Sequence, residues 1–298
     1  MTLRFGPAGI PLSCKGRTLK DGIEDVHNLG LNAMEVQLIR AVGTPMDNLG
    51  EIKDLAKDLD VQLTVHTPYY MELSGTGPGL ETSVQNMKWA GMIAHEMGAK
   101  IVNTHLGLYV HNNKKQSMEN VVSSVRKVRD WYKKNKLKPL IGLEASGKQK
   151  VFGSLEDILT VTKRIGGTIP VLNFAHIHAR ERGSLKKKEA FQAVFDQTHA
   201  ITKDKFFYCH FSGVEHEDGD KRRNTPIKKG DMRFDPLADC LLDNPKYDIT
   251  VISGSPLLEH DALYMKVILE RVVQKREAKA ARENAEGKNG KVGKNGKK

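Results

Sequence analysis

The chain lacks most of the features that would mark it as secreted, stapled or membrane-bound. Its 298 residues include only three cysteines, Cys14, Cys209 and Cys240, with no CxxC pair. That excludes a disulfide framework and a thiolate zinc site. Cys209 reads as a small buried hydrophobe. No stretch approaches the roughly 18 apolar residues of a membrane span. Gly6, Pro7, Gly9 and Pro11 interrupt the N-terminal run, so no signal peptide is expected and the protein should be cytoplasmic. No GxGxxG follows the first strand-like segment, which argues against a doubly wound dinucleotide-binding sheet.

What is present is a recurring β-type run that ends in a polar or metal-type side chain. The runs are 62–66, 100–105, 140–144, 169–176, 206–210 and 248–253. Their marker residues His66, His105, Glu144, Asn173 and His210 are spaced by 39, 39, 29 and 37 residues. One strand, one helix and two loops fill such an interval. Adding strands at 3–7 and 33–38 gives eight, each followed by a helix or a helix-sized connection. The expected fold is α/β, a single (β/α)8 TIM barrel. Residues 214–231 carry many charges and no periodicity, and read as a loop.

The formal charge is +11, and the last 24 residues hold nine Lys/Arg against three Glu. The barrel is therefore expected over 1–279 and a disordered Lys/Gly-rich tail over 280–298. The basic surplus makes a polyanion such as DNA an expected partner, against the plainer reading of a solvated surface.

A lone histidine at a strand end is more often a hydrogen-bonded structural residue than a ligand. Several at equivalent ends of parallel strands converge on one face. His66, His105 and Glu144 make the three-ligand set of a catalytic zinc site with a fourth position open.

At these residues the sequence resembles the endonuclease IV type of abasic-site endonucleases, within the xylose-isomerase-like barrels. The resemblance spans roughly residues 3–273. It rests on Phe5-Gly-Pro-Ala-Gly-Ile-Pro, His66-Thr-Pro-Tyr-Tyr, Asn103-Thr-His-Leu-Gly, Gly142-Leu-Glu, Phe174-Ala-His-Ile-His-Ala-Arg180, His210-Phe-Ser-Gly and Ser255-Pro-Leu-Leu-Glu. It implies a zinc-dependent DNA-repair hydrolase that cleaves the phosphodiester 5′ to an abasic site with a three-zinc cluster. His66, His105 and Glu144 match ligands of the first zinc, with Glu144 also catalytic. His210 matches the second zinc and His176 the third. Tyr69 matches an aromatic near the abasic site. Arg40, His178 and Arg180 are further candidates for DNA contact.

The chain departs from that pattern at three places. Asn173 replaces an Asp ligand, Gly254 a Glu ligand, and Arg222 aligns with a His ligand, leaving Asp220 as a weak candidate. One or two zinc ions, or manganese, are therefore expected rather than three. His178, Glu215, His216, Glu217 and Asp218 would compensate if that loop folded over the barrel mouth. Two other readings stay open: a paralogue that binds DNA without cutting, and a one-metal sugar isomerase or epimerase. The last is disfavoured because Glu144 is the only carboxylate among the strand-end ligands. A monomer is expected.

Overall fold

The structure is a computed structural model, and it describes residues 2–43 and 46–292. Eight parallel strands form one sheet. In chain order these are β1 (Thr2–Pro7), β2 (Ala33–Gln37), β3 (Gln62–His66), β4 (Ile101–Thr104), β5 (Leu140–Glu144), β6 (Thr168–Asn173), β7 (Phe206–Phe211) and β10 (Asp248–Ser253). Their spatial order is β1-β10-β7-β6-β5-β4-β3-β2, so β1 and β2 are the two edges that meet. There the Asn32 amide nitrogen donates to Phe5 O at 3.0 Å. Gly6 makes the approach possible, since a Cβ on it would lie 1.6 Å from Ala33 O. The result is a nearly closed (β/α)8 barrel, as the strand spacing predicts.

Side-chain alternation sorts each strand into an outer face against helices and an inner face inside the barrel. On β2, Met34 and Val36 pack outward into the main core, while Ala33 joins Ile101, Ile169, Val171, Tyr208 and Ile252 in a separate inner cluster. Above that apolar floor the inner positions turn polar. Thr64, Tyr208 and Glu35 are linked there by buried hydrogen bonds of 2.6 and 2.8 Å. The top positions are Gln37, His66, Glu144, Asn173 and His210. Inside the barrel, hydrophobicity thus falls along the axis, and the polar end is the C-terminal face.

Helices α1 (Leu19–Asn28), α2 (Leu49–Asp58), α3 (Gly77–Glu96), α4 (Lys114–Lys134), α5 (Leu155–Ile165), α7 (Lys188–Thr202), α8 (Phe234–Asp243) and α9 (Leu258–Val292) surround the sheet. Capping boxes at Thr18/Asp21 and Ser154/Asp157 start α1 and α5. Helix α3 starts at Gly77, where a proline in the first turn suits the helix start. No helix among the described residues is long and apolar enough to cross a membrane. Helix α9 passes the expected boundary at 279 and continues to Val292, so the basic segment begins as helix; 293–298 lie outside the described residues.

Two further departures bear on the site. Residues 174–180 form a short helix, α6 (Phe174–Arg180), so His176 and His178 stand on a helical turn rather than a strand end. The expected charged loop is a two-stranded hairpin, β8 (Gly213–Glu217) and β9 (Asp220–Thr225). Asp218 and Gly219 turn it with φ of 51° and 84°. This Asp-Gly pair is a strong short-range hairpin signal, masked by the charges around it.

Candidate functional site

The site is built from the top inner positions. His66 closes β3, and its Nδ1 lies 2.6 Å from Thr67 O. With the Nδ1 proton donated there, Nε2 presents a lone pair toward Glu144 Oε2, 3.0 Å away. Two lone-pair atoms at that distance repel unless a cation sits between them, either a proton or a metal. His105 follows β4, and ligand atoms of His66, His105 and Glu144 all lie within 4.8 Å of one another. The donor set and its tautomer therefore fit a divalent metal. Burial depresses His105 to about 4, so its imidazole is neutral and able to ligate. Burial also opposes charge on His66, but the Glu144 carboxylate outweighs it and raises the ring above its ordinary value.

Glu144 is 2 % exposed and held on both oxygens. Asn103 Nδ2 donates to Oε2 at 2.6 Å and Asn173 Nδ2 to Oε1 at 2.8 Å. Burial works against its charge, yet the surrounding histidines hold the carboxyl well below its ordinary range. Asn173 is thus an orienting donor: its Oδ1 caps α6 by accepting from His176 N, 3.1 Å away. In this arrangement the amide is occupied on both atoms, by Glu144 through Nδ2 and by the start of α6 through Oδ1.

A second carboxylate, which the strand-end pattern does not reveal, lies one layer deeper. Glu35 on β2 is fully buried and accepts from Gln37 Nε2, Tyr208 OH and His210 Nε2 at 2.7, 2.8 and 3.0 Å. His210 thereby turns its Nδ1 toward Glu144 Oε1, 3.6 Å away. Burial opposes both charges, but their mutual attraction holds Glu35 near about 2 and lifts His210 to about 10. The signal for Glu35 was its place in Ala33-Met-Glu-Val-Gln37: an acid midway along a buried strand, in phase with Ala33 and Gln37. Glu144 remains the one carboxylate at a strand end, and Glu35 adds a second, deeper one to this mouth.

His176 meets a different neighbour. Its Nδ1 donates to Ala145 O at 2.7 Å, and its Nε2 accepts from Lys221 Nζ at 2.8 Å. The lone pair that a metal would need is in use. Lys221 arrives on β9, and this places the mouth-facing cation one residue before the Arg222 that the sequence alignment put there. Arg222 points outward and pairs with Glu217 at 2.6 Å. Glu215 pairs with Arg223 at 2.8 Å, so both acids belong to the solvated side of the hairpin. Asp220 accepts from Gln149 N at 2.6 Å and lines neither of the two cavities at the barrel mouth.

The proposed DNA contacts divide likewise. Tyr69 stacks near the trio, its ring 5.2 Å from that of His66 and 5.7 Å from that of His105, and is 66 % exposed. Burial and the nearby carboxylates push its hydroxyl up to about 12. Arg40 is exposed and lines an outer cleft with Tyr70. Arg180 instead donates to the carbonyls of Ser146, Lys148 and Val151 and to Tyr109 OH, tying down the loop after β5. His178 is fully buried; its Nδ1 accepts from Leu185 N at 3.0 Å, so its Nε2 carries the proton donated to Asp231 at 3.0 Å. His178, His216 and Asp231 come close enough to hold a metal. The tautomer of His178 makes them a hydrogen-bonded clasp, because ligation through Nε2 would require an imidazolate.

Two adjoining cavities open on this face. One of about 390 Å³ contains the trio, Glu35, His210 and Lys221. The other, about 350 Å³, runs past Tyr69 and Tyr70 to Ser146, Lys148 and Lys221. Around them stand exposed Leu12, Ile39, Val42, Tyr69, Tyr70, Leu108 and Leu257, all in loops that follow strands of the barrel.

The fold has known counterparts. Uncharacterized protein MJ0133 of Methanocaldococcus jannaschii is 25% identical over 269 residues, covering 88% of this chain and 95% of that protein. A D-tagatose 3-epimerase-like protein superposes with a TM-score of 0.68 at 19% identity, covering 88% of this chain and 96% of the other. Endonuclease IV from Thermus thermophilus also gives 0.68, at 15% identity, with 90% and 99% covered. These two structures share the barrel but carry different names, and identities this low speak for the fold alone. The xylose isomerase-like TIM barrel model matches residues 23–257, and the chain belongs to that family.

Proposed function

We propose that this barrel is a metal-dependent phosphodiesterase acting on abasic sites in DNA, working as a cytoplasmic monomer. The observation that carries the reading is the His66/His105/Glu144 trio, an imidazole-rich set with an open side toward the mouth. Such a set suits zinc better than a hard cation. A bound divalent metal would supply a water of lowered pKa and a counter-charge for phosphate oxygens.

The chain's own groups do the rest. Asn103 and Asn173 fix the Glu144 carboxylate from both sides, and Glu35 fixes the orientation of the His210 ring by accepting from its Nε2. Tyr69 packs its ring against His66 and His105 at the mouth. The exposed aromatic and aliphatic rim offers faces on which bases and sugar can stack. The basic surplus favours a phosphate backbone, and Arg40 lies at the rim to meet it.

A second reading has support in Glu35. With Glu144 it gives two buried carboxylates that share Asn103 Nδ2, at 3.3 and 2.6 Å. Paired acids of this kind suit proton transfer on a sugar, as an epimerase needs.

Elemental analysis of the dialysed protein comes first, followed by assay on an abasic duplex with zinc or manganese restored. Metal retention with cleavage is the expected result. Binding without cleavage would mean a DNA-binding paralogue. No DNA binding at low salt would sink the DNA reading and leave the epimerase one.

A further inference from the structure

We propose that Lys221 is the floor of an anion subsite, a cation supplied by the protein to hold a phosphate group beside the metal trio. The inference rests on the phosphodiesterase reading and deepens it.

Three observations carry it. First, Lys221 lines both cavities, along with His105 and His176. An anion at that boundary would reach the trio and Lys221 together. Second, among the described residues Lys221 Nζ has one hydrogen-bond partner, His176 Nε2. An ammonium carries three donors, so two remain available to an anion. His176 takes the third because its own proton is fixed on Nδ1 by Ala145 O, and this holds the lysine in place.

Third, the hairpin is built to deliver this side chain. Its ladder slips by one residue between Glu215 and His216: Glu215 faces Arg223, but His216 faces Lys221, leaving Arg222 as the extra residue of a bulge. In a regular strand Lys221 and Asn224 would lie on opposite faces. The bulge turns both into the cavity that holds the trio, which is what such insertions do to a strand. Docking is then locked by the bond from Lys221 N to Gly147 O, 2.7 Å. The fit leaves no room for a side chain at 147, where a Cβ would sit 2.9 Å from Lys221 Cβ and 3.1 Å from His176 Cα. A surface lysine needs none of this.

The test uses inorganic phosphate as the probe on the full chain, with metal content measured in every sample. Cys14, Cys209 and Cys240 are all buried, so alkylation of a Lys221→Cys variant can be confined to position 221. Phosphate binding by titration calorimetry should weaken about 10- to 100-fold in K221C, the range expected for losing one charge-assisted hydrogen bond. Treatment with 2-bromoethylamine restores an ammonium of nearly lysine length and should restore affinity. Iodoacetamide adds a neutral amide and should not. Lys221→Met and Lys221→Arg form a second pair, expected weak and retained, if K221C does not fold. The proposal is overturned if the native protein binds no phosphate, if K221C binds it equally well, or if the charged and neutral adducts do not differ. No DNA enters the assay, so the two readings fail separately. Phosphate binding through Lys221 without DNA cleavage overturns only the phosphodiesterase reading. Cleavage by a protein whose phosphate affinity ignores position 221 overturns only the subsite.

Discussion

Replacing Glu35 by Gln tests whether the deep carboxylate organises the barrel mouth. The change keeps shape and one carbonyl oxygen while removing the charge opposite His210. Glu35 is drawn from its ordinary 4.5 to about 2. At 1.36 kcal/mol per pK unit, that is about 3 kcal/mol of stabilisation. His210 moves further, from 6.5 to about 10, because it faces Glu144 as well, so the Glu35 figure is the one to carry over.

The signs define a window. A depressed carboxylate stabilises above 4.5 and loses this as pH falls toward about 2. A raised imidazole stabilises below 6.5 and loses this as pH climbs through about 10. The pair contributes fully between those limits. In chelator-treated protein at pH 6, Glu35→Gln should cost about 2–3 kcal/mol, in the range for hydrogen bonds to charged groups. The difference from wild type should shrink as pH approaches 10. Urea denaturation followed by fluorescence and circular dichroism, with coincident transitions, gives the number. A difference below about 0.5 kcal/mol at pH 6, the usual scale of a bland surface change, or one that stays constant to pH 10, would refute the reasoning.

Other changes follow from the same geometry. Glu144→Gln should lower bound metal sharply in elemental analysis, and unchanged metal content would show that the trio is misassigned. Gly147→Ala should destabilise by about 1–3 kcal/mol through overpacking against Lys221 and His176, read as a lower thermal midpoint; an unchanged midpoint would mean the hairpin is loosely docked. Arg180→Ala should lower stability by about 2 kcal/mol, since its guanidinium bonds the loop after β5. Its DNA affinity should keep the wild-type salt slope; a slope reduced by about 1 would place Arg180 on a phosphate instead.

The sequence by itself determined the barrel and the shared face of the trio. Runs of β-branched residues at a 29–39-residue interval leave a chain few options other than parallel strands with helical returns. Once the strands are parallel, residues at their ends must share one face, so His66, His105 and Glu144 were legible without coordinates. The Asp218-Gly219 turn and the inward phase of Glu35 were legible too, but local charge masked the first and distance from the strand end the second.

Tertiary structure decided what each group does there. Asn173 in the sequence is only a weakened ligand; folded, its two amide atoms are divided between a helix cap and Glu144. His178 is a histidine beside a cluster until the Leu185 amide fixes its tautomer. Lys221 depends on a one-residue slip in a hairpin, and such a slip reverses which side chains face inward. Strand ends are set by periodic, local patterns, but protonation and orientation at the site depend on partners brought from as far as 175 residues away. Only the folded chain contains those distances.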